Sequence, residues 1–263
     1  MNPEQQLLDP LPVPLLFLLF FAGAFALHEA GFRVGAWQTR REPSEKDGPT
    51  GLLVGAILAL MGFFLATTTA MAADRFEARR ALVGDEASAI STTYLRAGYL
   101  PEPASSEIRN LLREYAPLRI NVLDQAAYDA NLAESKAMMD DLWAQAEAVA
   151  RTDGDQPVVA LFIESLNGAF DVLAAREAAL TSGRLPESLV VLLLFGAFLS
   201  AGIVGYHAGL INRRGLFGAI VLIVVLSAAL VLVIDLDRPR DGLLRVSQQP
   251  LEDLVETIGA PQP

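Results

Sequence analysis

The chain's two histidines, His28 and His207, both fall inside long apolar stretches. An ionisable group in a bilayer is costly, so it is expected to face a cavity, an ion path or a charged partner. Glu29 adjoins the first histidine and precedes Arg33 by four residues, the favourable order for a helical ion pair. Two readings stay open. His28, Glu29 and His207 could line a site for an ion or a proton. Alternatively, Glu29 and Arg33 form an interfacial pair, with the histidines at headgroup depth. Two imidazoles and a carboxylate would suffice for zinc, but no local spacing of the HExxH kind supports it, and no metal is expected.

Two further groups could meet an ion. Thr67, Thr68 and Thr69 place three hydroxyls in an otherwise apolar run. They could replace hydration water in a pore, or simply bond back to their own helix. Asp235, Asp237 and Asp241 with Gly242 superficially resemble a calcium loop, since hard cations want clustered oxygens. Pro239 lies inside that run and the terminal Glu is missing. A charge network at the membrane border is the better expectation, drawn from Arg75, Arg79, Arg80, Glu86, Asp235, Asp237, Arg238 and Arg240. Catalysis finds no candidates: residues 74–187 contain no His, and no Gly-rich phosphate loop is present. No enzyme activity and no cofactor are expected.

The elements that must position these residues are apolar segments of membrane length. Leu11 to Phe32 is the expected first span, Gly51 to Ala73 the second, Ser188 to Ile211 the third and Leu216 to Ile234 the fourth. Gln38 to Pro49 and Asn212 to Gly215 are short polar connections. The expected fold is an all-α membrane protein with a helical soluble domain between spans two and three. Its parts are 1–73 (N-terminal tail and spans one and two), 74–187 (soluble domain), 188–235 (spans three and four) and 236–263 (polar tail).

The second span continues without Pro to Arg96, and Phe76, Val83, Ala87, Ile90 and Tyr94 form one apolar stripe at helical spacing. One helix of about 70 Å, with at most one local distortion, is expected from Gly51 to Arg96; the alternative is two helices with a bend near Ala73 or Gly84. Within the soluble part, breaks are expected at Gly98 to Pro103, at Pro117 and at Asp153 to Pro157. Trp143 is the expected anchor of Asn121 to Arg151, and Leu251 to Ile258 reads as a short amphipathic piece. Gly31 and Gly35, Gly51 and Gly55, and Gly205 and Gly209 are GxxxG pairs, expected to mark tight helix contacts.

Composition narrows the function classes. The 263 residues are 52% hydrophobic, with a mean hydropathy of +0.37, which points to a membrane protein with a sizeable polar part. Twenty basic against 31 acidic residues leave −11, so nucleic acid is not an expected partner. With no Cys there is no disulfide or thiol chemistry. The first ten residues carry no Lys or Arg, so a removable signal peptide is not expected. Four spans put the N-tail, the soluble domain and the C-tail on one side. Arg40, Arg41, Lys46, Arg213 and Arg214 on the short loops lean towards an external domain by the positive-inside rule. Arg75, Arg79, Arg80, Arg238, Arg240 and Arg245 on the domain side oppose it.

Phe76, Arg79, Arg80, Glu86, Ala87, Ile90, Tyr94, Leu95 and Arg96 fall in an FxxRRxxxxxEAxxIxxxYLR pattern, followed by Leu100–Pro101 and Leu112–Tyr115; Asp235 to Leu251 forms a second block. In these residues the chain resembles the bestrophin-like domain family of bacterial multi-pass membrane proteins. By analogy with bestrophin anion channels, the resemblance implies a helical homo-oligomer, a pentamer on that analogy, that passes small inorganic ions across the bacterial inner membrane, with a cytosolic domain. The bulky apolar neck of bestrophins has only a loose counterpart in Phe63, Phe64 and Leu65.

Three functions are therefore carried forward. The first is an ion channel with span two lining the pore, Phe63 or Phe64 constricting it, and Arg75, Arg79 and Arg80 favouring anions. The second is a non-conducting scaffold whose acidic domain binds a partner protein. The third is a proton-coupled transporter using Glu29 and the histidines.

Overall fold

A computed structural model describes residues 8–42, 49–120, 125–181, 183–239 and 242–259. Lys46, Arg240 and Asp241, which entered the charge arguments above, lie outside these residues. The helices are α1 (Val13–Arg41), α2 (Thr50–Ala97), α3 (Ala104–Leu118), α4 (Gln125–Asp153), α5 (Pro157–Thr181), α6 (Glu187–Leu210), α7 (Leu216–Asp237) and α8 (Gln249–Gly259). No strand occurs among the described residues.

The helix boundaries follow from local chemistry. Pro12 and Pro14 open α1 where missing N–H donors cost nothing. The helix then runs nine residues beyond the expected end at Phe32, because Arg33 to Arg41 contains no Pro and a single Gly, and Arg40 and Arg41 meet its negative end. α2 runs unbroken through 48 residues. Gly84 does not interrupt it, in line with the small cost of one helical Gly. The expected breaks before α3 and between α4 and α5 are present. Pro117 sits one residue before the end of α3 rather than breaking it earlier.

Among the described residues, five helices are long and apolar enough to cross a membrane: α1, α2, α5, α6 and α7. The fifth, α5, was not among the spans expected from sequence, because its apolar positions read as the core face of a soluble helix.

The chain divides into two compact units. One comprises Met1–Arg75 and Arg184–Leu244, the other Phe76–Gly183 and Arg245–Pro263. In the first, α1 and α6 pack backbone to backbone. A methyl on Gly31 would overlap the Gly202 carbonyl, one on Gly35 the Tyr206 carbonyl, one on Gly205 the His28 carbonyl, and one on Gly209 the Phe32 carbonyl. Lipid gives helices little hydrophobic reason to associate, so close backbone approach supplies the dispersion contact instead. Two of the expected glycine pairs thus face each other. The third does not join them: Gly51 lies beside the His207 ring, and Gly55 has open space around it. α7 closes this unit through Ile223, packed with Ala24 and Ala201.

The second unit has a continuous core. The predicted stripe of α2 supplies Val83, Ala87, Ile90 and Tyr94, all buried. Ile108 and Leu112 of α3, Leu142 and Ala146 of α4, Phe162 and Leu166 of α5, and Leu251, Leu254 and Ile258 of α8 complete it. The amphipathic tail is therefore α8, and its apolar face is part of the core. Trp143 is not the anchor of α4. It is 36% exposed, with its ring 6.3 Å from Phe170, because Leu142, Ala146 and Val149 define the inward face.

Candidate functional site

The membrane-length part of α2 packs along one narrow face: Val54, Met61, Leu65, Thr68 and Ala72 are buried. Successive residues on a helix turn by about 100°, so three consecutive threonines point three ways. Thr68 lies on the buried face, Thr69 at its edge, and Thr67 is exposed. Each hydroxyl bonds back to its own helix. Thr67 donates to the Phe63 and Phe64 carbonyls at 3.0 Å, Thr68 to Phe64 at 2.8 Å and Thr69 to Leu65 at 2.6 Å. A hydroxyl whose proton is used in this way offers lone pairs outward, not a donor.

Phe63 is 62% exposed and stands one turn before Thr67. Phe64 meets its ring edge-on at 6.1 Å. A separate exposed face consists of Gly55, Ala59, Gly62, Ala66, Ala70 and Ala73, spaced at threes and fours. Reading the glycines only as GxxxG pairs missed it; the signal was the alternation of Gly with Ala at helical spacing.

His28 is buried where the α1 backbone meets Gly205, and its Nδ1 has no hydrogen-bond partner. His207 on α6 lies beside Gly51 and also leaves Nδ1 without a partner. Glu29 accepts a charged hydrogen bond from Arg33 at 3.0 Å and lies 3.4 Å from Arg214. The Glu29–Arg33 pair is formed, and Arg214 from the α6–α7 turn joins it. Among the described residues, no three His, Cys, Asp or Glu side chains gather as a metal site.

At the end of α7, Asp235 and Asp237 do different work. Asp235 accepts the backbone N–H groups of Leu243 and Leu244 at 2.9 and 3.0 Å, folding the chain back on the helix end. Gly242, at φ 142° and pressed against that carboxylate, makes the reversal possible. Asp237 accepts the Leu185 N–H at 2.8 Å and lies 3.5 Å from Arg184 Nε. Arg184 also grips Asp9 with both terminal nitrogens, at 2.6 and 2.8 Å. Burial pulls the Arg184 guanidinium down, but the hydrogen bonds and charge of Asp9 and Asp237 outweigh it and hold it above its ordinary value. Arg238 donates to the Leu8 and Leu11 carbonyls at 2.9 and 2.6 Å. The Asp–Arg contact at this end uses Arg184, which sits 53 residues before Asp237 in a polar linker and was not foreseen from the sequence.

The other border candidates lie elsewhere. Arg80 is exposed and pairs weakly with Glu77 at 3.5 Å. Arg79 is buried and Arg75 half-buried. Glu86 is fully buried in the second unit, its carboxylate shared between Arg119, at 2.6 Å, and Arg176. Arg176 donates onward to the Arg119 carbonyl at 3.0 Å and to Gln248 at 2.9 Å, and Arg119 reaches Ser135 at 3.4 Å. Burial lowers the Arg119 guanidinium, but the Glu86 charge raises it further, so it stays above its ordinary value and charged.

Three comparisons place this geometry among known proteins. The family model of the bestrophin-like domain matches residues 18–251. No curated protein matches the sequence. Among solved structures, a point variant of a bacterial bestrophin homologue from Klebsiella pneumoniae superposes with a TM-score of 0.64 at 16% identity, covering 94% of this chain and 96% of that one. A second variant from that organism gives a TM-score of 0.60 at 16% identity, covering 94% and 97%. A crystal structure of a membrane protein gives 0.63 at 17% identity, covering 89% and 94%. At these identities the likeness shows a shared fold.

Proposed function

Because the chain belongs to the bestrophin-like domain family, we propose that it is a homo-oligomeric ion channel of the bacterial inner membrane, with α2 lining the pathway. The observation that carries this reading is the exposure of α2. One face is packed, the small-residue face suits a neighbouring copy, and Phe63 and Thr67 project from a third side. Phe63 is the constriction, gating by dewetting; Thr67 beside it has its proton bound to its own helix and does not coordinate an anion. Phe64, Thr68 and Thr69 flank the path rather than line it.

In this reading four helices cross the bilayer: α1, α2, α6 and α7. α5 belongs to the soluble domain, since it carries Glu164, Asp171, Arg176 and Glu177 and its apolar face lies in the second unit's core. The N-terminal segment, that domain and the C-terminal tail share one side. Arg80, exposed on α2, favours anions at the mouth, while Arg75 and Arg79 turn towards the packed side of the helix. Residues 74–187 sum to −8 (11 basic, 19 acidic), but charge spread over a domain surface is screened within about 10 Å. His28, Glu29 and His207 are structural here. The runner-up is a non-conducting scaffold, favoured by that same acidic surface.

Reconstitution into planar bilayers separates the two. The channel reading expects anion-selective currents, with Phe63→Ala increasing the open fraction. Silence from correctly assembled protein across pH and calcium would leave the scaffold. Cation-selective currents would keep the channel and remove the arginine argument.

A further inference from the structure

At the end of the first unit opposite Asp235 and Asp237, the C-terminal part of α1 lies beside the α6–α7 turn. Thr39 Oγ1 donates to the Leu210 carbonyl at 2.9 Å, and Arg214 stands 4.6 Å over the Phe32 ring. This juxtaposition gathers five exposed guanidiniums, those of Arg33, Arg40, Arg41, Arg213 and Arg214. Only Glu29 and Glu42 accompany them among the described residues, so the end carries +3. The loop residues Glu45, Lys46 and Asp47 add −1 by sequence and leave +2. Arg33 and Arg214 share Glu29. Arg40, Arg41 and Arg213 have no carboxylate partner among the described residues.

The surroundings are those of a membrane interface. Trp37 is 50% exposed and Phe217 84%, the type and placement of aromatics that sit at headgroup level. Arg41 stacks on Trp37 at 4.1 Å, which holds its guanidinium beside the ring. Arg40 and Arg41 also meet the negative end of α1, and that alone would account for two of the charges. It does not account for Arg213, which lies in the connecting turn, or for the convergence of both segments.

We infer that this end of the molecule is a docking site for a phosphate-bearing anion, namely the headgroup of an anionic phospholipid, held by Arg40, Arg41 and Arg213 with its acyl chains along α1 and α7. Guanidiniums recognise phosphate oxygens by paired hydrogen bonds. Trp37 and Phe217 border the glycerol region. The inference does not depend on whether the chain conducts ions.

The test uses the purified full chain in detergent, titrated with phosphatidylglycerol or phosphatidylcholine and read by native mass spectrometry. Phosphatidylglycerol should be retained in preference, and added salt should weaken it. The variant Arg40→Gln/Arg41→Gln/Arg213→Gln should lose that preference, by on the order of a hundredfold at about fivefold per guanidinium. The Arg→Lys version at the same three positions should fall between the unaltered protein and the Gln variant, keeping the salt-sensitive charge attraction and losing the paired hydrogen bonds. Inorganic phosphate at millimolar concentration should not displace the lipid. Equal retention of both lipids, or a preference untouched by the Gln variant, would overturn the site. Displacement by inorganic phosphate would make it a free-anion site and overturn the lipid assignment. Should the triple variant fail to fold, Arg213→Gln alone, on an exposed turn, must still lower the preference severalfold.

Discussion

Glu86 Oε1 accepts the Nε–H of Arg119 at 2.6 Å in a core from which both side chains are excluded from water. Arg176 binds the other oxygen, so one carboxylate balances two guanidiniums. Removing it strands two buried positive charges. Glu86→Gln should cost about 3–5 kcal/mol, read as a large fall in melting temperature in detergent. Glu77→Gln, which breaks only the exposed pair with Arg80, should cost under about 1 kcal/mol. Equal effects from the two would mean the buried cluster carries no special weight.

The α1–α6 seam makes a sharper comparison among glycines. Gly35→Ala and Gly205→Ala press a methyl into a facing carbonyl and should each cost about 1–3 kcal/mol. Gly62→Ala meets nothing within the chain and should leave the melting of a dissociated protomer unchanged. If the small-residue face of α2 packs on a second copy, Gly62→Leu should weaken the oligomer, measured by light scattering in detergent, with helix content intact. An oligomer indifferent to Gly62→Leu would put the subunit contact elsewhere.

Arg184 and Arg238 tie the segment around Asp9 to the end of α7. Arg184→Gln should therefore loosen that segment, which Arg238 still holds through the Leu8 and Leu11 carbonyls, and strip Asp237 of its charged neighbour. Limited proteolysis should then cut before Pro12 faster than in the unaltered protein, while cleavage within 153–157 stays the same. Asp237→Ala should lower thermal stability by about 1–3 kcal/mol, since it leaves the buried Leu185 N–H without its acceptor while Arg184 keeps Asp9. Unchanged proteolysis and melting would make this a decorative contact.

Tyr115 gives a pH dependence. Burial pushes its phenol above the ordinary value near 10, with the Glu86 charge adding to it against Arg119. The folded state thus resists an ionisation that the unfolded chain undergoes freely. The stability tied to neutral Tyr115 is complete below pH 10 and lost as pH rises beyond it towards the folded value. Tyr115→Phe should flatten that alkaline fall between pH 9 and 11 in denaturant titrations. A fall of the same depth in the variant would assign it to other groups.

The helical class, the unbroken α2 and its buried stripe were legible in sequence because period and breakers act locally. Val83, Ile90 and Tyr94 could be read as one face without knowing what they meet. The glycine seam was half legible: spacing named Gly31, Gly35, Gly205 and Gly209 but could not pair them. The charge clusters were the least legible. Glu86 looked like a border residue because it follows Arg79 and Arg80 closely, yet its partners lie 33 and 90 positions away. Arg184 was missed for the same reason. Long-range ion pairs leave no periodic trace. Thr67, Thr68 and Thr69 were read by composition as one group of hydroxyls, where helix geometry sends each to a different side. α5 was read only as a soluble core helix, although a membrane helix of that length shares its hydropathy.

The seam between α1 and α6 also sets a clock on biogenesis. Its two halves are joined by contacts such as Thr39 to Leu210, 171 residues apart. At about 5–20 residues per second, α1 waits on the order of 10–30 s after its own synthesis before its partner exists. During that interval a notch of bare glycine backbone stands open in the bilayer, matched only by lipid. A premature partner with small residues of its own, α2 being the first to emerge, could occupy that notch. Correct assembly then depends on α6 displacing it, so slow synthesis between α2 and α6 should raise the yield of misassembled chains.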